Sequence, residues 1–515
     1  MKARLITALA LAWAWAAQAQ PAMDTVGNAR ALPLGVDSLS AFRLQGVRDN
    51  PVWLPSVDDG YNRITVSAAF DKGAFIPAQG STQTQHYRTA AEGKTSWKGT
   101  RLYGRFAYDR VLEDSTRLRH QTRINPSAPV YFGSLRYNHY ERSVYTFAVA
   151  GQRDALPGNL PVTLALDYRI GEHFSNNDPR GAISDFQLNL LGGVGYRQGP
   201  WEYHLSARYG YGRERVQVGF KNVKYTQNTE NPLYINWYMN GYGNASQRIS
   251  NPQRQYDDGF RRMGAGGHVR RQTGNGYWSA DVGWLQEQQR FKRLDGTIQT
   301  YTLLNTYTLS QWRGVLTAVR QLGENRTIQA DARVTLHAGS DFEPIYQAKN
   351  YTYSRVFADA GARIVSERWQ YGARGGVEAT DQRDGVAGVI STAGGLLASG
   401  YAERRLLLGG SRILRTGVAV QYRHALGNDL VFPALAETPF SKHVVYHDFL
   451  YRTASALTYG LSCGYAFPNG KGSRWDVSVS ANYQRRGGLS GHALAAPSLP
   501  GADRFAGSVQ LSWFF

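Results

Sequence analysis

Along most of this chain apolar and polar residues alternate one for one. Across 161–171, Val162, Leu164, Leu166, Tyr168 and Ile170 share one parity, and Thr163, Ala165, Asp167 and Arg169 share the other. The same period returns in 185–197, 201–209 and 328–337, and again where Trp475, Val477, Val479, Ala481 and Tyr483 oppose Arg474, Asp476, Ser480 and Asn482. A period of two places the two sets on opposite faces of a strand. Soluble sandwich strands usually run about five or six residues, whereas these segments are roughly twice as long. Aromatic residues also close their apolar faces, as Trp278 and Trp284 do around Ala280 and Val282. Length and girdle together predict strands that cross a bilayer. Lipid cannot satisfy an open sheet edge, so such strands close into a barrel.

The connections predict the topology. Short ones at 468–472, 409–410, 366–367, 322–325, 273–276 and 198–199 alternate with long ones, the longest running from Gly212 to Arg262. Barrels of the bacterial outer membrane have short periplasmic turns and longer outer loops. The expected fold is therefore all-β, a transmembrane antiparallel β-barrel of 16–18 strands with both termini in the periplasm. The segment Ser81 to Arg88, polar on both faces, decides between the two counts. Three regions follow: 1–19, 20–61 as an N-terminal plug or periplasmic extension, and 62–515 as the barrel.

The first region reads as a secretory signal peptide. Lys2 and Arg4 precede an apolar run from Leu5 to Ala16, and Ala17-Gln18-Ala19 makes a cleavage site. Elsewhere no run of about 18 apolar residues occurs, so no transmembrane helix is expected.

Composition narrows the function. The net charge of +19 comes from 58 basic against 39 acidic residues. On a cytoplasmic protein that balance points to nucleic acid. Behind a signal peptide no nucleic-acid partner is expected, and arginine can instead fork onto the phosphates of lipopolysaccharide. Arg110, Arg117, Arg119, Arg123, Arg254, Arg261 and Arg262 fall in outer loops suited to that role. Cys463 is the only cysteine, so an intramolecular disulfide and a cysteine zinc site are excluded. His443 and His447 have no HExxH context. His204 and Ser206 share a strand face without a nucleophile elbow. No enzyme, metal or cofactor is expected.

The final strand places Phe505, Gly507, Val509, Leu511, Trp513 and Phe515 on one face. That ending resembles the terminal strand of Gram-negative outer-membrane barrels, whose assembly machinery recognises the last aromatic residue. The resemblance makes Phe515 an assembly signal. Near the N-terminus, Asn28-Ala29-Arg30-Ala31-Leu32 and Asp49-Asn50-Pro51 are similar to the segment before the barrel of long-chain fatty-acid transporters and secretion-accessory barrels. Pro33 and Val52 depart from that pattern. The remainder resembles an uncharacterised outer-membrane barrel family. The first likeness implies a plug within the lumen; a periplasmic tail is the alternative.

The inward parity collects Arg169, Arg197, Arg208, Arg333, Arg355, Arg363, Arg374, Asp167, Asp331, Asp359 and Glu378. These charges could polarise a pathway, as in porins, or neutralise one another as wall, and their interleaving favours neutralisation for most of them. Tyr234, Trp237, Tyr238 and Tyr242 in the longest loop are candidates for ligand or partner contact. The expected function is a porin-like or transporter-type channel for a small solute in the outer membrane of a Gram-negative cell. The alternative is a non-conducting scaffold or accessory subunit of an uptake or secretion complex.

Overall fold

The computed structural model describes residues 38–57, 60, 62–120, 127–155, 159–226, 231–242, 245–246, 254–295, 300–323, 325–433, 438–470, 472–489 and 499–515. The signal-peptide reading of 1–19 and the motif at 28–32 lie outside the described residues.

Eighteen long strands make one sheet, each antiparallel to its neighbours. In chain order these are β1 (Asn62–Gly73), β2 (Gln83–Trp97), β3 (Thr100–Thr116), β5 (Asn138–Asp154), β6 (Pro161–Ser175), β7 (Arg180–Gln198) and β8 (Trp201–Gly219). They continue with β11 (Arg254–Thr273), β12 (Gly276–Asp295), β13 (Thr300–Gln321), β14 (Arg326–Phe342), β15 (Tyr351–Ser366) and β16 (Trp369–Asp384). The series ends with β17 (Val389–Leu408), β18 (Arg412–Val431), β19 (Ala456–Pro468), β20 (Arg474–Arg486) and β21 (Asp503–Phe514). β1 pairs with β2 on one side and with β21 on the other, so the barrel closes. The segment that decided the strand count supplies β2, and the larger number holds. Turns at one end are tight, and Gly199 and Gly410 there adopt φ of 56° and 72°, which a side chain disfavours. Among the described residues no helix is long and apolar enough to span a bilayer.

The predicted face assignment is seen directly on β8. Its outward Tyr203, Leu205, Tyr209 and Tyr211 are exposed, Leu205 by 69 %, while inward His204 and Ser206 are buried. From Tyr203 to Tyr211 the outward face covers about 27 Å along the strand at roughly 3.4 Å per residue. That length suits a tilted strand crossing an apolar band. Above Tyr211 the polarity of the two faces reverses. The outward residues become Arg213, Arg215 and Gln217, and the inward Val216 and Val218 are 4 % and 2 % exposed. On β13 the inward Tyr307 and Leu309 are likewise buried, and on β15 so are Tyr351 and Tyr353. The lower barrel is apolar outside and polar inside, while the upper barrel is the opposite. Lipid imposes the first pattern and water the second.

A hood fills the upper barrel. It contains a three-stranded sheet of β4 (Val130–Gly133), β9 (Trp237–Asn240) and β10 (Ala245–Ser246). Two helices, α2 (Pro439–His443) and α3 (Val445–Thr453), complete it. Val130, Phe132, Tyr242 and Val445 pack in one cluster with the inward residues of the surrounding strands. Polar contacts fix its parts together: Ala78 N donates to Asp448 Oδ1 at 2.7 Å, and Tyr242 N to Asp384 Oδ2 at 2.6 Å. At the other end, α1 (Ser38–Asp49) and a 3₁₀ turn, Pro51–Ser56, pack against the inward face. There Leu44, Val47, Val52, Trp53 and Leu54 cluster with Tyr103 and Ala150.

Candidate functional site

Between these two inserts lies a cavity of about 940 Å³. Its floor is the segment Gly46–Pro51 with Trp53 and Ser56, and its roof includes Ser127, Tyr451 and Arg452. Inward residues of the strands form the wall.

The floor segment starts with ordinary helix chemistry. Asn50 ends α1 and opens the 3₁₀ turn, its side chain accepting from Val52 N, with Pro51 at the first position where no N–H is needed. This sets Arg48, Asp49, Asn50 and Trp53 in polar contact with the wall. Arg48 bonds Glu92 through Nε at 3.1 Å and Nη2 at 2.5 Å. Burial works against the Arg48 charge, but the Glu92 carboxylate outweighs it and holds the guanidinium above its ordinary pKa. Asp49 takes Arg313 Nη2 on Oδ2 at 2.9 Å, and its backbone carbonyl takes Arg208 Nη2 at 3.3 Å. Asn50 Nδ2 lies 2.8 Å from His268 Nδ1 and 3.1 Å from Asp281 Oδ1. The Trp53 indole N–H donates to the same Asp281 oxygen at 2.9 Å. Arg270 stands 3.9 Å over the Trp53 ring.

His268 also joins Ser206. Its Nε2 is 2.9 Å from Ser206 Oγ, and its Nδ1 is 2.7 Å from Asp281 Oδ1. Barrel register makes this chain, for His268 sits opposite Asp281 on β12 while Gly266 sits opposite Ser206 on β8. Sequence reading paired Ser206 with His204 along one strand; the structure pairs it with His268 across two. The connectivity is that of a nucleophile, base and orienting acid. In this arrangement the plug's Asn50 and Trp53 also converge on the acid.

The eleven predicted lumen charges all lie on the inward face, mostly in ion pairs. Arg333 reaches Asp359 at 2.8 Å, Arg355 reaches Glu378 at 2.8 Å, and Arg374 bridges Asp331 and Asp359. Arg169 pairs with Asp185, Arg197 with Asp154 and Glu202, Arg363 with Gln329, and Asp167 with Asn189. Arg208 differs: it is exposed to the cavity and touches no carboxylate among the described residues. The pairs do not balance at the cavity surface. Its lining includes eleven arginines, among them Arg105, Arg208, Arg313 and Arg423, against Asp49, Asp167, Asp281 and Glu378. Sequence reasoning assigned the positive excess to loops and rims; much of it faces the chamber, because many partner carboxylates sit behind the arginines against the wall.

The loop predictions need correction. Trp237 and Tyr242 are 6 % and 7 % exposed, and Tyr238 packs against the same cluster, so all three are hood core rather than an outer contact surface. Their apolar rings fill the space that the upper barrel encloses. Only Tyr234 stays near the rim, stacked on Tyr225 at 3.8 Å with Arg136 over its ring. Arg119 and Arg262 point inward and bond Glu113 and Glu287, so neither is free for lipopolysaccharide. Arg123 lies outside the described residues. Arg261 and Arg290 remain exposed on the outer wall above the aromatic girdle. Phe515 is half exposed beside Trp513 at the lower rim, with ring centroids 4.5 Å apart.

The plug residues and His268 were missed because a single-strand reading cannot see across register. The available signal was the inward parity of His268 and Asp281 on adjacent strands. Asp49 and Asn50 stood out in the sequence only within a motif.

A model described as a family of unknown function, DUF6850, matches residues 51–515. No curated protein matches the sequence. Among solved structures the chain is similar to one described as the copper transporter OprC, at 10 % identity and a TM-score of 0.41, over 88 % of this chain and 81 % of that one. It is similar to the FrpB iron transporter from Neisseria meningitidis at 10 % identity and 0.38, over 89 % and 82 %. A TodX mutant monoaromatic hydrocarbon channel matches at 11 % identity and 0.32, over 91 % and 93 %.

Proposed function

Because the chain belongs to that family of unknown function, we propose a role from its geometry: a closed, transporter-type channel of the Gram-negative outer membrane that passes a small solute through a central chamber. The observation that carries this reading is the 940 Å³ cavity held between two separate inserts. A wall built only to scaffold partners has no need of a polar room at its centre. The lower insert, residues 38–57, is the movable gate. It is held by a short set of polar contacts and one small cluster, whereas the hood is knitted to many strands. In the same reading Arg261 and Arg290 meet lipopolysaccharide phosphates.

The Ser206–His268–Asp281 chain is the seat of this gate rather than a hydrolytic centre. Asp281 spends its oxygen on Asn50 and Trp53 as well as on His268, and Asn50 Nδ2 crowds the imidazole nitrogen that an orienting acid would need to itself. A fluorophosphonate probe should leave Ser206 unmodified.

Planar-bilayer recording tests the proposal. The full chain should be mostly closed, and deletion of residues 20–61 should give steady conductance. Silence in both forms would replace the channel with the second reading, a non-conducting accessory of an uptake or secretion complex. The apolar core packed into the upper barrel favours that reading.

A further inference from the structure

Among the described residues, two chamber arginines find their side-chain partner on the gate, one an anion and the other a neutral carbonyl. Arg313 makes its salt bridge to Asp49, and Arg208 reaches that residue's backbone carbonyl. A guanidinium is permanently charged and presents forked donors matched to carboxylate, phosphate or sulfate oxygens. Several of them around one water-accessible room form a site that a neutral or cationic solute would leave unsatisfied.

We propose that the chamber binds a small solute with at least two anionic oxygens, seated on Arg208 and Arg313, and that Asp49 holds the place of those oxygens until it arrives. The inference rests on the channel reading and names its solute class. It also links binding to opening. A solute carboxylate or phosphate that takes Arg313 removes one of the gate's wall contacts. Arg208 swings from a backbone carbonyl to a charged acceptor, a stronger bond. Occupancy thus favours release of the segment that closes the floor, without any change in the wall.

Equilibrium dialysis of the full detergent-solubilised chain tests this, with radiolabelled citrate and, separately, pyrophosphate and sulfate, all at matched ionic strength. The three probes distinguish a carboxylate site from a phosphate or sulfate site. At least one should bind. Asp49→Asn should tighten it by removing the internal competitor. Arg208→Gln, whose side chain touches only a carbonyl and should not disturb folding, should weaken it by about tenfold or more. Arg208→Lys should fall between, because charge remains but the fork is lost. Lack of binding to any probe by both the native chain and Asp49→Asn overturns the proposal, as does equal binding by the native chain and Arg208→Gln. Conductance without anion binding would remove only this site, whereas anion binding without conductance would remove only transport.

Discussion

Replacing Trp53 with phenylalanine tests the gate with little change in volume. The indole N–H donates to Asp281 Oδ1 at 2.9 Å, and phenylalanine deletes that donor while keeping a ring beneath Arg270. A hydrogen bond to a charged acceptor contributes about 1.5–3 kcal/mol. Asp281 still accepts from His268 at 2.7 Å and Asn50 at 3.1 Å, so its oxygen is not orphaned and the lower figure applies. About 1.4 kcal/mol is a factor of ten, so the ratio of open to closed time should rise about tenfold. Trp53→Ala goes further. The side chain is only 3 % exposed, and such truncations cost roughly 3–5 kcal/mol. That loss would open the floor by well over a hundredfold. Dwell times in a planar bilayer read both ratios, and resistance of the folded barrel to detergent at room temperature checks assembly. If both variants assemble and open no more than the native chain, residues 38–57 are not the gate.

Other outcomes follow from the same structure. Leu164, 68 % exposed on the outward face of β6, should lose about 2–4 kcal/mol on change to arginine, measured by denaturant unfolding in vesicles; no loss there or at Val334 would reverse the assignment of faces. Phe515→Ser should lower the yield of membrane-inserted barrel, and an unchanged yield removes its role as assembly signal. Burial pushes the His120 imidazole in the hood down to about 3, so its contribution is intact above the unfolded value near 6.5 and falls by about 1.4 kcal/mol per pH unit as pH drops from there towards 3. His443 is lowered to about 4, first by burial and then by Arg117 and His447, and being half exposed adds a smaller, solvent-screened contribution over the same window. Proteolysis of the hood should accelerate across this window, and a His120→Gln chain should respond less; an identical acid response rejects the assignment.

The barrel was legible because period-two alternation records which face meets lipid. The chamber was less so, since the lumen reads as polar whether its charges pair or stand free. Arg208 and Arg333 look alike in sequence. Register alone gives one a carboxylate at 2.8 Å and leaves the other to a plug carbonyl. The hood was hidden for a different reason. Trp237 and Tyr242 look like sugar-stacking aromatics in a long loop, and only the switch from polar to apolar on the inward face at Val216 and Val218 hints that something apolar must fill the mouth. The same reversal on β15, where Tyr351 and Tyr353 precede the outward Val356 and Ala358, could have been read as the level at which lipid ends.

That level divides the molecule between two solvents. Below it, apolar side chains face hydrocarbon, and holding them there releases no water. Above it, the hood is assembled by burial from water, with the heat capacity and urea sensitivity that such burial brings. The roof of the chamber and its walls therefore obey different thermodynamics within one chain. Cooling and chaotropes act first on the roof, so the upper mouth should loosen while the strands beneath it stay paired in the bilayer.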